Sequence, residues 1–124
     1  MSHVTRVETK IYDRKILLET LKELDFEYRE DFKIYFEGKQ YPVDIAVWKG
    51  GGFHVGFKQG GRDAPFNIRF YGLGGRESRR FKDRVTQCYA RRKLLTEARR
   101  KNYFLVQETR CEGNRVRLVL RKSA

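Results

Sequence analysis

The chain has 124 residues, of which 40% are hydrophobic, and it carries a formal net charge of +12 at pH 7. This length, together with nine Phe and seven Tyr, predicts one folded domain over residues 1–124 rather than a disordered tail. The N-terminus has no apolar signal core and no apolar run approaches about 18 residues, so we expect a cytoplasmic protein with no membrane partner.

The first half of the chain predicts a strand, a helix and a hairpin. Residues 7–11 alternate between apolar and charged side chains, as in a strand with one buried face. Asp13 is expected to cap a helix over residues 14–24, because its carboxylate can accept hydrogen bonds from the free N–H groups of the first turn. Alternating stretches at 32–36 and 41–47 flank a Glu-Gly turn and predict a hairpin.

The second half repeats these signals around glycine-rich turns. Residues 53–57 and 66–70 alternate on either side of a turn containing Gly and Asp, which indicates a second hairpin. A long helix is predicted over residues 76–101. Strands at 103–110 and 116–120 then flank another Glu-Gly turn.

The predicted order β-α-β-β-β-β-α-β-β is typical of an α+β fold. We expect an antiparallel sheet of about six or seven strands with two helices on one face. The stretches RKILLETLKELDFEYRE (14–30) and RKLLTEARRKNYFLVQE (92–108) align without a gap, and each is followed by a Glu-Gly turn and a strand. This echo indicates an internal β-α-β-β duplication, with chance similarity as the alternative.

Three glycine clusters raise the question of a phosphate-binding loop. They are Gly50-Gly51-Gly52, Gly60-Gly61 and Gly72-x-Gly74-Gly75, the last of which precedes the long helix. None fits the Gly-x-x-x-x-Gly-Lys-Ser/Thr loop or the Gly-x-Gly-x-x-Gly dinucleotide pattern. Turns and a loose loop are therefore the favoured interpretation, since glycine is the usual residue where φ is positive.

The titratable residues give no starting point for a catalytic mechanism. His3 and His54 are the only histidines, and neither has a nucleophile context beside it. Cys88 and Cys111 form no Cys-x-x-Cys pair, which argues against a zinc site or a disulfide framework. We therefore predict a protein that is not an enzyme, with no catalytic residues, no cofactor and no metal.

The positive charge is concentrated in the second half of the chain. Residues 1–48 hold eight basic and ten acidic side chains, whereas residues 49–124 hold twenty basic and six acidic ones. A helical wheel of the long helix places basic residues on both sides of an apolar arc. On one flank are Arg80, Arg84 and Arg91, and on the other are Lys82, Lys93 and Arg100. Arg92 and Arg99 fall within the arc, so each must reach outward or meet an acid.

The last strand and two aromatic residues extend the candidate surface. Arg115, Arg117 and Arg121 share one strand face, where like charges repel and an acidic or phosphate partner would relieve the repulsion. Trp48 and Tyr71 are candidate stacking platforms for nucleic-acid bases, against the alternative that they fill the core or the sheet surface.

Several stretches together resemble a known but uncharacterised family. They are MSHVTRVETKIYDRKILLETLKEL, VTQCYARRKLLTEARRKNYFLVQE and GNRVRLVLRK. The chain resembles small proteins of cyanobacteria, other bacteria and algal plastids known as hypothetical chloroplast reading frame thirty-five. The resemblance implies no established activity or catalytic residue. It implies a cytosolic protein, or a stromal one where the gene lies in a plastid.

Two functions follow from these patterns. The first is non-catalytic binding of nucleic acid, preferably RNA, by a basic surface on the second helix and last strand, because clustered Lys and Arg neutralise phosphates. The second is a protein–protein adaptor that docks an acidic partner or a larger assembly, and the family resemblance implies an ATPase of the AAA type as one such partner. The oligomeric state is left open.

Overall fold

The computed structural model describes residues 4–48, 51–111 and 115–123, and these ranges contain two helices and seven strands. In chain order the elements are β1 (Val4–Ile11), α1 (Arg14–Glu23), β2 (Tyr28–Phe36), β3 (Lys39–Trp48), β4 (Phe53–Gln59), β5 (Phe66–Tyr71), α2 (Gly75–Arg100), β6 (Tyr103–Cys111) and β7 (Arg115–Lys122). The predicted α+β class and element order are confirmed. Asp13 caps α1 as predicted, with its Oδ1 accepting a hydrogen bond from the Ile16 N–H at 3.1 Å.

Among the described residues the strands form two antiparallel sheets rather than one. The larger sheet has the order β1-β5-β4-β3-β2, so the first strand pairs with the fifth and lies at one edge. Strands β6 and β7 form a separate two-stranded sheet. Helix α1 connects β1 to β2 and therefore runs from one edge of the larger sheet to the other.

Both helices cover the same face of the five-stranded sheet. Helix α2 contributes Phe81, Val85 and Tyr89, which lie four residues apart on one stripe and are all buried. The Phe81 ring packs against the α1–β2 connection and the sheet, with its centroid 5.2 Å from that of Phe26 and 5.9 Å from that of Phe70. This core fixes the N-terminal half of α2 on the sheet.

The opposite face of the sheet is covered by the β2–β3 hairpin, which curls back over it. The Tyr41 ring on β3 and the Phe36 ring on β2 lie 5.0 and 6.0 Å from the Tyr71 ring, although these strands are two and three strands away from β5 in the sheet order. At Gly72, whose φ is +75°, an added Cβ would lie 2.9 Å from the Phe36 ring. Tyr71 is thereby fully buried. The prediction that it stacks on nucleic-acid bases is wrong, because the alternation of β5 does not reveal a hairpin folded over its outer face.

The β6–β7 hairpin packs against the C-terminal half of α2. The 26 residues of α2 make a helix about 39 Å long, which extends beyond the sheet. A groove between α2 and β7 is lined by Ala90 and Leu94 on one side and by Val116 and Leu118 on the other. The order β5-α2-β6-β7 thus matches β1-α1-β2-β3, as expected for a duplicated unit, but the second hairpin stays outside the larger sheet.

Candidate nucleic-acid interface

The first half of α2 carries four arginines that face one surface depression. Arg76, Arg79, Arg80 and Arg84 line a cavity of about 350 Å³, together with Gln87 and a single acid, Asp83. All four arginines are exposed. Their helical spacing places them within a few turns of one another, and we call this feature the arginine depression.

These arginines are not neutralised by the part of the chain that the structure describes. Arg76, Arg79 and Arg80 make none of its ion pairs, and Arg84 lies with its guanidinium carbon 5.9 Å from the centre of the Phe26 ring. Basic side chains near a helix N-terminus are also repelled by the positive end of the helix dipole. Glu77 is the only acid in the first turn of α2. A bound anion would therefore relieve an unfavourable charge arrangement.

Arg91, predicted to be a free phosphate ligand on the same flank as Arg80 and Arg84, has a structural partner instead. Its Nε and Nη2 donate to the two carboxylate oxygens of Glu108 on β6, at 2.5 and 3.1 Å. The hydrogen bond from Arg91 to Glu108, against the opposing effect of burial, raises the pKa of Arg91. The prediction that Arg91 is exposed and unpaired is wrong, because the hairpin that follows α2 folds back and presents a carboxylate to it.

Of the two alternatives predicted for Arg92, reaching outward or meeting an acid, the structure shows the second. It contacts Glu19 at 3.2 Å and Glu23 at 2.8 Å, both on α1. Glu23 also accepts a hydrogen bond from the Cys88 Sγ at 2.8 Å. Burial, together with this carboxylate, raises the pKa of Cys88 to about 11, while the thiol hydrogen bond and Arg92 lower the pKa of Glu23. These contacts join the two helices and leave Arg92 unavailable to a ligand.

The second predicted flank does not meet the arginine depression. Lys93 is half-buried, with its Nζ 6.0 Å from the centre of the Tyr12 ring, beside β1. Lys82 is half-buried in the N-terminal part of α2, and Arg100 is exposed in its last turn. The three residues are therefore spread along the helix on the side facing β1.

The basic residues of β7 lie on the face of the hairpin that points away from α2. Val116 and Leu118 face the helix, so Arg117 and Arg121 project outward, and both are exposed. The backbone of Arg115 continues this strand, but its side chain lies outside the described part of the structure. The predicted union of helix and strand arginines into one surface is therefore not formed, because the body of the hairpin stands between Arg117 and the helix.

Sequence reasoning missed three exposed residues that belong to these surfaces. Two of them, Arg76 and Arg79, complete the arginine depression. The sequence pattern that could have identified them is helical spacing in the first turns of α2, because Arg76 lies four residues before Arg80 and Arg79 lies three residues before Lys82. Phe104 is 49% exposed and pairs with Arg121 across the hairpin. Trp48 is also exposed, with its ring edge-on to Phe53 at 5.1 Å. Trp48 and Phe104 are thus accessible aromatic surfaces, whereas Tyr71 is not.

Within the described ranges, no group of three or more His, Cys, Asp or Glu side chains could hold a metal ion. None of the described helices is long and apolar enough to cross a membrane.

Comparison with known proteins gives a family and no function. A family model described as a protein of unknown function (DUF1257) matches residues 20–119. No curated protein and no solved structure matches the chain. The predicted resemblance to an uncharacterised family is thereby confirmed.

Proposed function

The chain belongs to the DUF1257 family of proteins of unknown function, and from its geometry we propose that it binds RNA or another nucleic acid without catalysing a reaction. The observation that carries the proposal is the arginine depression: four exposed arginines on one helix surface, none of which forms an ion pair in the described chain. Arg117 and Arg121 form a second, smaller basic surface on the far side of the β6–β7 hairpin.

The geometry of the depression suits a chain of phosphates. Arg76, Arg80 and Arg84 follow one another every four residues, about 6 Å apart along the helix axis. Each guanidinium can donate two parallel hydrogen bonds to one phosphate group. Several such interactions release counterions from the nucleic acid, so the affinity is expected to fall steeply with salt. Bases of a strand bound at the second basic surface have the exposed Phe104 ring to stack on, because Phe104 pairs with Arg121 there.

The experiment reverses two charges that the described structure leaves without an ion pair. The variant Arg80→Glu with Arg84→Glu removes two arginines from the depression. The matched control, Lys33→Glu with Lys39→Glu, makes the same change in net charge on the exposed β2–β3 hairpin. Affinity for an RNA oligonucleotide and for a mixed-sequence DNA duplex is measured by fluorescence anisotropy at several salt concentrations.

We expect the depression variant to weaken binding and to flatten the slope of log affinity against log salt by about 0.7–0.9 for each phosphate that the protein no longer neutralises. The control should change the slope much less, because it acts only through the overall field. Equal effects of the two variants would show that net charge alone attracts the ligand. No binding of the wild-type protein below about 10 μM at near-physiological salt would refute the proposal, since that level marks ordinary non-specific affinity.

A second candidate function, a protein–protein adaptor, is favoured by the outer face of the β6–β7 hairpin. Phe104 and Val106 are each 49% exposed on this hairpin, and Phe104 pairs with Arg121 across it. Exposed aromatic and Arg side chains are enriched at the centres of protein interfaces. An acidic partner would be expected to lose affinity with Phe104→Ala and to be insensitive to Arg80→Glu, whereas nucleic-acid binding should show the larger effect at Arg80.

A further inference from the structure

A second cavity lies beside the arginine depression, where β5 leads into α2. It has a volume of about 420 Å³ and is lined by residues of β1, the β5–α2 loop and the first two turns of α2. Two cations, Arg79 and Lys82, line it, and no carboxylate is among the described residues around it. The cavity therefore combines a helix N-terminus with positive side chains.

No side chain of the described residues caps the N-terminus of α2. Gly74 is the N-cap residue of α2, with φ −69°, and provides no side-chain hydrogen bond to the first turn. A Cβ added to Gly74 or Gly75 would meet nothing within 4 Å, and neither residue has a positive φ. Backbone conformation therefore does not require glycine here. The first N–H groups of α2 have no partner within the helix, and Gly74 and Gly75, which have no side chains, line the cavity.

An independent feature of the same cavity is a buried hydroxyl without a hydrogen bond. Ser78 lines the cavity and is only 8% exposed, and its Oγ has no hydrogen-bond partner among the described residues. The Cα–Cβ bond of a helical residue tilts toward the helix N-terminus, so this hydroxyl lies over the first turn. A buried hydroxyl is normally paired, because leaving it unpaired costs stability. A hydrogen-bond acceptor placed in the cavity would satisfy it.

We infer that this cavity binds a phosphomonoester group. The oxygens of a phosphate dianion can accept hydrogen bonds from the first N–H groups of α2 and from the Ser78 hydroxyl, while Arg79 and Lys82 balance its charge. The positive end of the helix dipole adds to this attraction. The site differs from the arginine depression, which we propose for phosphodiesters, because it combines the N-terminus of α2 with two cations in a separate cavity.

The surroundings indicate what carries the phosphate. Val7 and Leu73 form an apolar wall, and the cavity is larger than a phosphate alone, so a sugar or base has room beside it. Arg79 also lines the arginine depression, which places the two features side by side. The ligand is therefore the terminal phosphate of a bound nucleic-acid strand. This identification rests on the proposed function, whereas the phosphate site itself does not.

The site is tested first with inorganic phosphate and a nucleoside monophosphate, by following backbone amide resonances against chloride at equal ionic strength. The amides of Gly75, Arg76 and Glu77 should shift in a saturable manner. Ser78→Ala should lower phosphate affinity about tenfold, the usual loss of a hydrogen bond to a charged group, without lowering the melting temperature. Thr86→Ala is the matched control, because the Thr86 hydroxyl is already bonded to the Lys82 carbonyl at 2.8 Å.

Oligonucleotides with a 5′-phosphate, with a 3′-phosphate and with neither then test the ligand. We expect the protein to prefer one phosphorylated end, and Ser78→Ala to remove that preference. Saturable shifts by phosphate with no oligonucleotide binding would support the site and refute the nucleic-acid function. Oligonucleotide binding that ignores terminal phosphates, with no amide shifts by phosphate, would overturn this inference while leaving the nucleic-acid function intact. Unchanged phosphate affinity in Ser78→Ala would also overturn it.

Discussion

Substitution of Arg91 tests whether this arginine stabilises the fold, in contrast to the arginines that are free to bind a ligand. It forms a two-pronged ion pair with Glu108, and the two side chains are 30% and 35% exposed. An exposed pair contributes at most about 1 kcal/mol, and breaking a fully buried pair costs about 3–5 kcal/mol. This half-buried pair is therefore expected to contribute about 1–2 kcal/mol, chiefly by fastening the β6–β7 hairpin to α2.

The test is a double-mutant cycle with Arg91→Ala, Glu108→Ala and both together, measured by urea unfolding. We expect Arg91→Ala to lower the free energy of unfolding by about 1–2 kcal/mol, a fall of about 3–8 °C in melting temperature for a domain of this size. The coupling energy should be about 1 kcal/mol, because the two residues contact each other directly. Arg80→Ala is the control and should leave stability within about 0.5 kcal/mol, since Arg80 is exposed and lacks an ion pair in the described structure.

The same variants then enter the nucleic-acid titration. Arg80→Ala should flatten the salt slope, while Arg91→Ala should leave it nearly unchanged. A stable Arg91→Ala variant whose slope falls as much as that of Arg80→Ala would refute the structural role of Arg91. That result would indicate that Arg91 contacts the nucleic acid.

Two further predictions concern contacts that α2 makes with α1 and with the β1–α1 loop. In a Cys111→Ser background, Cys88 should react slowly with iodoacetamide at pH 8 and faster as the pH approaches 11. Glu23→Gln should speed this reaction, because it removes a carboxylate that raises the pKa of the Cys88 thiol. Because the folded pKa lies above the unfolded value of 9.0, the stability contributed by the thiol is complete below pH 9 and is lost between pH 9 and about 11. Cys88→Ala should remove that part of the pH dependence in urea unfolding, and an identical pH profile would contradict it. Tyr89→Phe should lower the free energy of unfolding by about 1–2 kcal/mol, because the Tyr89 hydroxyl accepts hydrogen bonds from two backbone N–H groups of the β1–α1 loop, at 3.2 and 3.0 Å. An unchanged free energy of unfolding would disprove this role.

The order of elements could be read from the sequence because it depends on local patterns. Alternation over two residues marked the strands, and the stripe containing Phe81 and Val85 marked the buried side of α2. Asp13 was identified as a cap because capping needs only a side-chain oxygen next to the first turn. The place of Arg92 within an apolar arc predicted that it either reaches outward to solvent or meets an acid, but it did not decide between the two. The excess of positive charge in residues 49–124 was also plain from the sequence.

Only the tertiary structure decided which of those charges are free. Arg91 and Arg80 look alike on a helical wheel, yet Arg91 meets Glu108 from a strand seventeen residues away, while Arg80 makes no ion pair in the described chain. Tyr71 has the alternation of an outward-facing residue, but the curled β2–β3 hairpin buries it. The unpaired hydroxyl of Ser78 is likewise invisible in the sequence. Local sequence patterns determine on which face of its helix or strand a side chain lies. Whether that side chain is buried or paired depends on which distant segment packs against that face.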